Sequence, residues 1–370
     1  MNFKFNREIL LKPLQLVLGV IESKQVLPIL ANVLIIIEGN QLSIIATDLE
    51  IELMGKATLP EAVDTLLKFT LPARKLFDIC RALPENSIIE LIFDEKFEKV
   101  ILKSGRSRYA LSALAAEEFP HLEQQKAGIS INLSQQKLRF LFQRTYFAMA
   151  HQDVRFFLNG LLLELSQDCL QAVATDGHRL AFATLPKSFS VNQKLQVIIP
   201  RKAIIELIRL LDNSENEITI EISDNNVKVV AQDYIFTSKL IEGRFPDYRQ
   251  AIPQNGDKNI FLSRESLKQA LNRSIILSNE KIRPVFMEFK DNLLKIAANN
   301  LNQESAEEEL EIEYSYPDLG VGFNANYILD VLSTLTSDQV KITISGLGES
   351  MLIEEADNKE SIFVIMPMHI

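Results

Sequence analysis

Tryptophan is absent from this chain of 370 residues, cysteine occurs twice and histidine four times. Cys80 and Cys169 stand far apart, with neither CxxC spacing nor histidine-rich neighbours. That argues against a disulfide framework and a zinc module and leaves both as small core residues. No uninterrupted apolar run reaches the roughly 20 residues a membrane-spanning helix needs, and Met1 to Arg7 lacks the layout of a signal peptide, so the cytoplasm is the expected compartment. Catalytic signatures are missing as well: no Gly-x-Ser-x-Gly elbow, no phosphate-binding glycine loop, no His-Glu-x-x-His and no metal-spaced carboxylates. Gly346-Leu-Gly-Glu-Ser is too short, and lacks the strand-loop-helix context, for a dinucleotide site. Neither a cofactor nor a metal is expected. Positive charge is also in deficit: the net charge is −10, which taken alone argues against a nucleic-acid partner.

What is present describes a globular chain, with 47% hydrophobic and 24% charged residues, long enough for two or three domains. Laid against itself, the chain repeats with a period of about 125 residues, which suits a tandem of whole domains rather than a solenoid. Each copy opens on a strand running into a helix: Phe3 to Lys12, Ile131 to Leu138 and Ile260 to Lys268. Asn6, Ser134 and Ser263 are placed to cap those helices, and Leu10, Leu14, Val17 and Leu18, then Leu138, Leu141 and Phe142, have helical spacing. A strand pair follows, ending in Ala46-Thr-Asp-Leu, Ala174-Thr-Asp-Gly and Ala297-Ala-Asn-Asn. A second strand and helix begin near Thr70, Ile199 and Gly322, with Pro72 and Pro200 at the first turn in two of them. Alternating runs such as Glu217 to Ile222 and Val340 to Ile344 then read as hairpins. The expected fold is α+β: three similar domains, each with two helices and antiparallel sheets, at residues 1–127, 128–256 and 257–370.

The distribution of charge matters more than its sum. The six expected helices together carry +8, leaving −18 on everything else. Those cations are either good helix formers on solvated faces or a set of basic helices turned toward one anionic partner.

Residues 174–180, Ala-Thr-Asp-Gly-His-Arg-Leu, place a histidine and an arginine side by side at a turn. A catalytic site, a recognition pocket and a decorated hairpin all fit. An enzyme reading, a hydrolase or transferase centred on His178, would enlist Asp176, Arg179, His151 and Asp153. The other two repeats keep the bend but lack Gly-His-Arg. The fold therefore needs the turn, and only the middle copy needs those side chains.

Several separated motifs resemble one family closely: His151-Gln-Asp-Val-Arg-Phe-Phe-Leu-Asn-Gly, Ala174-Thr-Asp-Gly-His-Arg-Leu-Ala, Phe236-Thr-Ser-Lys-Leu, Gly243-Arg-Phe-Pro-Asp-Tyr, Ile276-Leu-Ser-Asn-Glu-Lys and Met366-Pro-Met-His-Ile. Together they span the chain and resemble the bacterial sliding clamps, the β subunits of DNA polymerase III. The resemblance implies a non-catalytic, homodimeric ring closed head to tail, with helices lining the hole and sheets outside, that encircles duplex DNA without reading its sequence. It also implies a pocket for short linear peptides of DNA polymerase subunits, the clamp loader and repair proteins, and no membrane partner. Positions matching that pocket are Arg155, Phe157, Leu158, Gly160, Thr175, Gly177, His178, Arg179, Leu180, Pro246, Ala251, Asn324, Tyr327, Ser350, Val364, Met366, Pro367 and Met368. DNA-facing positions carried over are Lys24, Arg74, Gln152, Phe156, Arg201 and Lys202; helix position adds Lys137, Arg144, Lys268 and Arg273. The expected dimer interface sets Lys75, Arg106, Arg108, Tyr109 and Leu111 against Ile276, Leu277, Glu304, Glu307, Glu308 and Glu309. The chain departs from the family pattern in having Phe156 and Phe157 where tyrosines are usual, Ala251 for a larger aliphatic and His369 for an arginine.

Overall fold

The computed structural model describes all residues except 1, 23–26, 94–98, 124, 125, 127, 192, 255, 280, 281, 347, 369 and 370. Lys24 and His369 lie outside the described residues. Among those described, six α-helices occur: α1 (Arg7–Val17), α2 (Ala73–Ala82), α3 (Gln135–Thr145), α4 (Arg201–Leu210), α5 (Arg264–Ser274) and α6 (Ala325–Thr334). They fall in pairs, two to each repeat, each entered directly from a strand.

Local chemistry explains the helix starts. Asn6 Oδ1 accepts from the Glu8 amide at the head of α1, and Ser263 Oγ from the Ser266 amide at the head of α5. Ser134 departs from the expected pattern: its buried hydroxyl has no hydrogen-bond partner among the described residues. The head of α3 is closed by backbone instead, with the Gln135 and Gln136 amides donating to the carbonyls of Asn216 and Ser214. Leu10, Leu14 and Val17 of α1, and Leu138, Leu141 and Phe142 of α3, are buried as their spacing predicts, whereas Leu18 is half-buried in the 3-10 turn that follows α1. Each buried side chain contributes about 1.5–3 kcal/mol by leaving water.

The chain packs as two compact units, Met1–Gln136 with Ile205–Leu240, and Lys137–Ile204 with Ile241–Ile370. In the first, a six-stranded sheet runs Asn32–Thr47, Ile51–Pro72, Tyr234–Lys239, Asn226–Val230, Glu217–Ile222, Ile129–Ser134. It joins two repeats through the antiparallel ladder from Tyr234↔Gly55 to Ser238↔Ile51. A four-stranded sheet there ends on Ser107–Ser112, which among the described residues is bonded on one side only, to Lys99–Ser104. In the second unit an eight-stranded sheet places Arg179–Pro186 beside Ser361–Ile365, again joining two repeats. Its companion four-stranded sheet ends on Ser305–Glu311, bonded among the described residues only to Leu293–Asn299.

The first two repeats close the Thr-Asp hairpin with the same bonds, and the third bends at the matched place with a different set. Thr47 Oγ1 donates to the Ile51 carbonyl and accepts from the Leu49 amide, while Asp48 Oδ1 accepts from the amides of Glu50 and Ile51. Thr175 and Asp176 repeat each of those bonds with Arg179, Gly177 and His178. In the third copy Asn300 is the acceptor, for the amides of Asn302 and Glu304, which moves the matched landmark one residue beyond the sequence alignment.

Candidate functional site

The middle hairpin forms one wall of a cavity of about 300 Å³ lined by Arg155, Phe157, Leu158, Thr175, Gly177, Arg179, Leu180, Pro246, Asp247, Tyr248, Ala251, Val364 and Met366. Its floor is part of a buried cluster containing Leu158, Leu162, Val173, Leu180, Phe245, Tyr248 and Val364, so the cavity is a dent in the core of the second unit. Leu180 and Val364 sit opposite each other in the ladder that joins the repeats. An apolar floor with a few polar groups at the rim is suited to an apolar side chain that arrives with its own backbone polar groups outside.

The rim is set by charge. Arg155 makes a forked contact with Asp153, Nε to Oδ1 at 3.0 Å and Nη2 to Oδ2 at 2.9 Å, and Nη2 also reaches the Asp176 carbonyl at 3.3 Å. That fork, with the Arg155 amide, holds the Asp153 carboxyl down at about 2. Gly177 has φ +90°, but Leu49 takes φ +75° at the same turn position in the first repeat, so the backbone alone does not demand glycine. A Cβ on Gly177 would also lie 3.1 Å from the Arg155 guanidinium, the movable end of a half-exposed side chain, so the positive φ and the close approach together favour glycine.

Arg179 ties the hairpin to its surroundings. Its guanidinium donates to Asp176 Oδ2 at 3.0 Å, to Asp330 Oδ2 of α6 at 2.5 Å and to the Phe147 carbonyl at 2.6 Å, and it lies 4.4 Å from the Tyr327 ring centroid. An arginine committed to three acceptors and a ring is a fixed edge of the pocket. Asp176 is likewise spent on Arg179 and on two backbone amides.

Eleven of the expected pocket residues line the cavity together, and seven lie elsewhere. Gly160 is a packing residue, for a Cβ there would meet the Ile199 carbonyl at 2.7 Å. His178 is exposed and takes part through its carbonyl, which accepts from the Met366 amide at 2.9 Å. Asn324 caps α6, Tyr327 lies under Arg179, and the Met368 amide bonds the Gly322 carbonyl, which places Pro367 and Met368 beside the start of α6. Ser350 immediately precedes the strand Met351–Glu355. Asp247 and Tyr248 were missed by sequence reasoning, although both lie in the Gly243-Arg-Phe-Pro-Asp-Tyr motif.

Among the candidate DNA contacts, Arg74, Lys137, Gln152 and Phe156 are exposed, while Arg201, Lys202 and Lys268 are half-buried. Arg74 donates to the Ile21 carbonyl and Arg201 to the Met149 carbonyl. Arg144 is corrected: it is a buried structural cation, bonded to Glu355 and to the Thr334 carbonyl, with no face left for a phosphate. Arg273 is exposed but forked onto Glu308, so two residues expected to serve different surfaces share one ion pair.

The interface candidates gather on the two sheet margins. Arg106 and Arg108 are exposed, Tyr109 half-buried and Leu111 buried along or just before Ser107–Ser112, with Lys75 exposed on α2. Glu304, Glu307 and Glu309 are exposed and Glu308 half-buried along Ser305–Glu311; Ile276 is exposed and Leu277 half-buried in the adjacent short 3-10 turn.

No helix among the described residues is long and apolar enough to cross a membrane. Comparison with known proteins agrees with the motifs. Residues 1–123, 132–247 and 249–369 match the N-terminal, central and C-terminal domain models of the DNA polymerase III beta subunit. The beta sliding clamps of Pseudomonas aeruginosa and Escherichia coli K12 are 46% and 44% identical over 370 residues, covering all of both chains. Crystal structures of the P. aeruginosa subunit, one of them bound to griselimycin, superpose with TM-scores of 0.96 at 46% identity and full coverage of both chains. A three-fold α+β repeat and full-length similarity lead to one conclusion: the chain belongs to the DNA polymerase III beta-subunit family, the bacterial sliding clamps, and serves DNA replication as a non-catalytic processivity clamp.

Proposed function

We propose that two copies of the chain, each of three clamp domains at 1–127, 128–256 and 257–370, close head to tail into a cytoplasmic ring around duplex DNA. The observation that carries the ring is the pair of sheet margins. Ser107–Ser112 offers an open hydrogen-bonding edge with Arg106 and Arg108, and Ser305–Glu311 offers another with Glu304, Glu307 and Glu309. Open edges recruit further strands, and opposite charge sets which edge meets which. A heterologous contact of that kind closes when its rotation returns on itself. Lys24, Arg74, Lys137, Gln152, Phe156, Arg201, Lys202 and Lys268 would then meet DNA, loosely and through phosphates, so that the ring slides. Clamp loaded on nicked circular DNA is expected to stay bound through gel filtration and to come off when the circle is cut. Release that is indifferent to cutting overturns the ring.

The pocket is the proposed seat for linear peptides of polymerase subunits, the clamp loader and repair proteins. A relative binds griselimycin, which makes that compound a direct probe. Met366 is 41% exposed and lines the pocket through its side chain, while its amide stays bonded to His178. Met366→Ala is expected to weaken griselimycin binding about tenfold by calorimetry with the dimer unchanged. Unaltered affinity removes the pocket assignment.

A further inference from the structure

One wall of the pocket, the 3-10 turn Tyr248–Ala251, is fastened from behind by a buried acid. Glu164 lies in the strand Gly160–Leu165, every residue of which is buried, and its own side chain is 3% exposed. Its carboxylate accepts from Arg249 Nη2 at 2.6 Å, Lys194 Nζ at 2.8 Å and Gln196 Nε2 at 2.5 Å, with the Tyr248 hydroxyl 3.4 Å away. Burial acts to raise the Glu164 carboxyl, but Lys194, Gln196 and Arg249 outweigh it and hold it below the usual range, so the group is an anion.

The fold does not require an acid there. Glu164 stands ten residues before Ala174 of the hairpin; ten residues before Ala46 in the first repeat stands Ile36, a hydrophobe packed on an apolar cluster that includes Phe119. The repeat thus accommodates an aliphatic residue at this strand position. The third repeat has an acid, Glu288, at the matching ladder position, but it is half-buried; what sets Glu164 apart is its burial and the turn it holds. Tyr248 lies between the Phe182 ring, stacked at 5.9 Å and 29°, and the Arg249 guanidinium, 4.5 Å from its centroid. Arg249 therefore bridges the acid behind the turn and the ring that faces the pocket.

We propose that Glu164 is a positioning residue for the peptide pocket, holding the Tyr248–Ala251 turn through Arg249 in the shape that receives a peptide. The inference rests on the pocket reading above. Preorganisation of this kind raises affinity by removing an ordering cost from the binding step, without touching the ligand.

The test is griselimycin binding to the full-length protein, with amide hydrogen exchange over residues 248–251 and melting temperature as companion readouts. The Arg249 side chain is half-exposed, so Arg249→Met leaves an apolar chain beside Tyr248 and removes the guanidinium that bridges Glu164 and the Tyr248 ring. Expected are about tenfold weaker binding, faster exchange in the turn and a melting temperature within about 2 °C of the parent. Arg249→Lys restores affinity to within about threefold, since an ammonium already reaches Glu164 from Lys194. Glu164→Gln combined with Arg249→Met is no weaker than the worse single variant, because the two act in series. Should Glu164→Gln not fold, the Arg249 series decides alone. Parental affinity in Arg249→Met overturns the inference if Met366→Ala still weakens binding; if Met366→Ala is silent too, the pocket reading falls and takes the inference with it.

Discussion

Replacing Glu355 with alanine is expected to lower the unfolding free energy by about 3–5 kcal/mol at pH 7, the cost of breaking a buried ion pair by removing one partner. Arg144 and Glu355 have side chains 6% and 3% exposed, with Arg144 Nη2 3.1 Å from Glu355 Oε1. The same carboxylate accepts from the amides of Thr336 and Ser337 and from the Thr336 hydroxyl, so its loss leaves a cation and three donors without their acceptor. Denaturant unfolding monitored at pH 7 measures the effect, and a loss under about 1 kcal/mol shows that Arg144 is re-solvated at little cost. The pH dependence has a definite sign. Burial tends to raise the Glu355 carboxyl, but the Thr336 amide, Arg144 and the Ser337 amide prevail and hold it below its ordinary value of 4.5. A depressed carboxyl stabilises the folded state above its unfolded pKa, and that stability disappears as pH falls through the folded value. The gap between parent and Glu355→Ala is therefore level from pH 6 to 8 and narrows below about pH 4.5.

Ile276→Ala combined with Leu277→Ala is expected to convert the dimer to monomers at micromolar concentration, a loss of at least about 2 kcal/mol, or roughly 30-fold. Ile276 is 72% exposed in the short turn after α5, so its truncation removes little from the protomer's own core. The turn lies beside the strand Ser305–Glu311, the margin at which the proposed partner would cover it. Sedimentation velocity across a concentration series reads the result, with unfolding midpoints as the control for protomer integrity. A dimer mass that persists at the lowest detectable concentration sinks the assignment of this turn to the interface.

Much of this protein was legible because its chemistry is local. Thr47-Asp48 and Thr175-Asp176 close their own turns through side-chain bonds to backbone groups two to four residues away, so the hairpin and its repetition could be read directly. Helix faces such as Leu10, Leu14 and Val17 were equally plain, since their period reports burial whatever the partner. Ser134 shows the limit even there: a residue of the right type at a helix start lost its capping role to carbonyls more than 70 residues distant.

Charge was the least legible property. A sequence window shows that α3 and α5 carry arginines but not that Arg144 is buried against Glu355, 211 positions away, or that Arg273 is paired with Glu308. Both pairings depend on long-range packing, and each changes an available cation into a neutralised one. The pocket divides in the same way. Gly177, Arg179 and Met366 stood out as pocket residues, whereas Asp247 and Tyr248, though in a quoted motif, were placed at the cavity only by packing, in which Phe245 and Tyr248 share a buried cluster with Leu180 and Val364.

By itself the sequence determined the three-fold α+β repeat, the bend that follows the same strand in each copy and the membership of a clamp family, since each is written in contiguous residues. Tertiary structure alone decided which arginines remain available to an anion and which side chains meet around the cavity. Those outcomes depend on distances between residues remote in the chain, and burial, desolvation and ion pairing all follow from such distances.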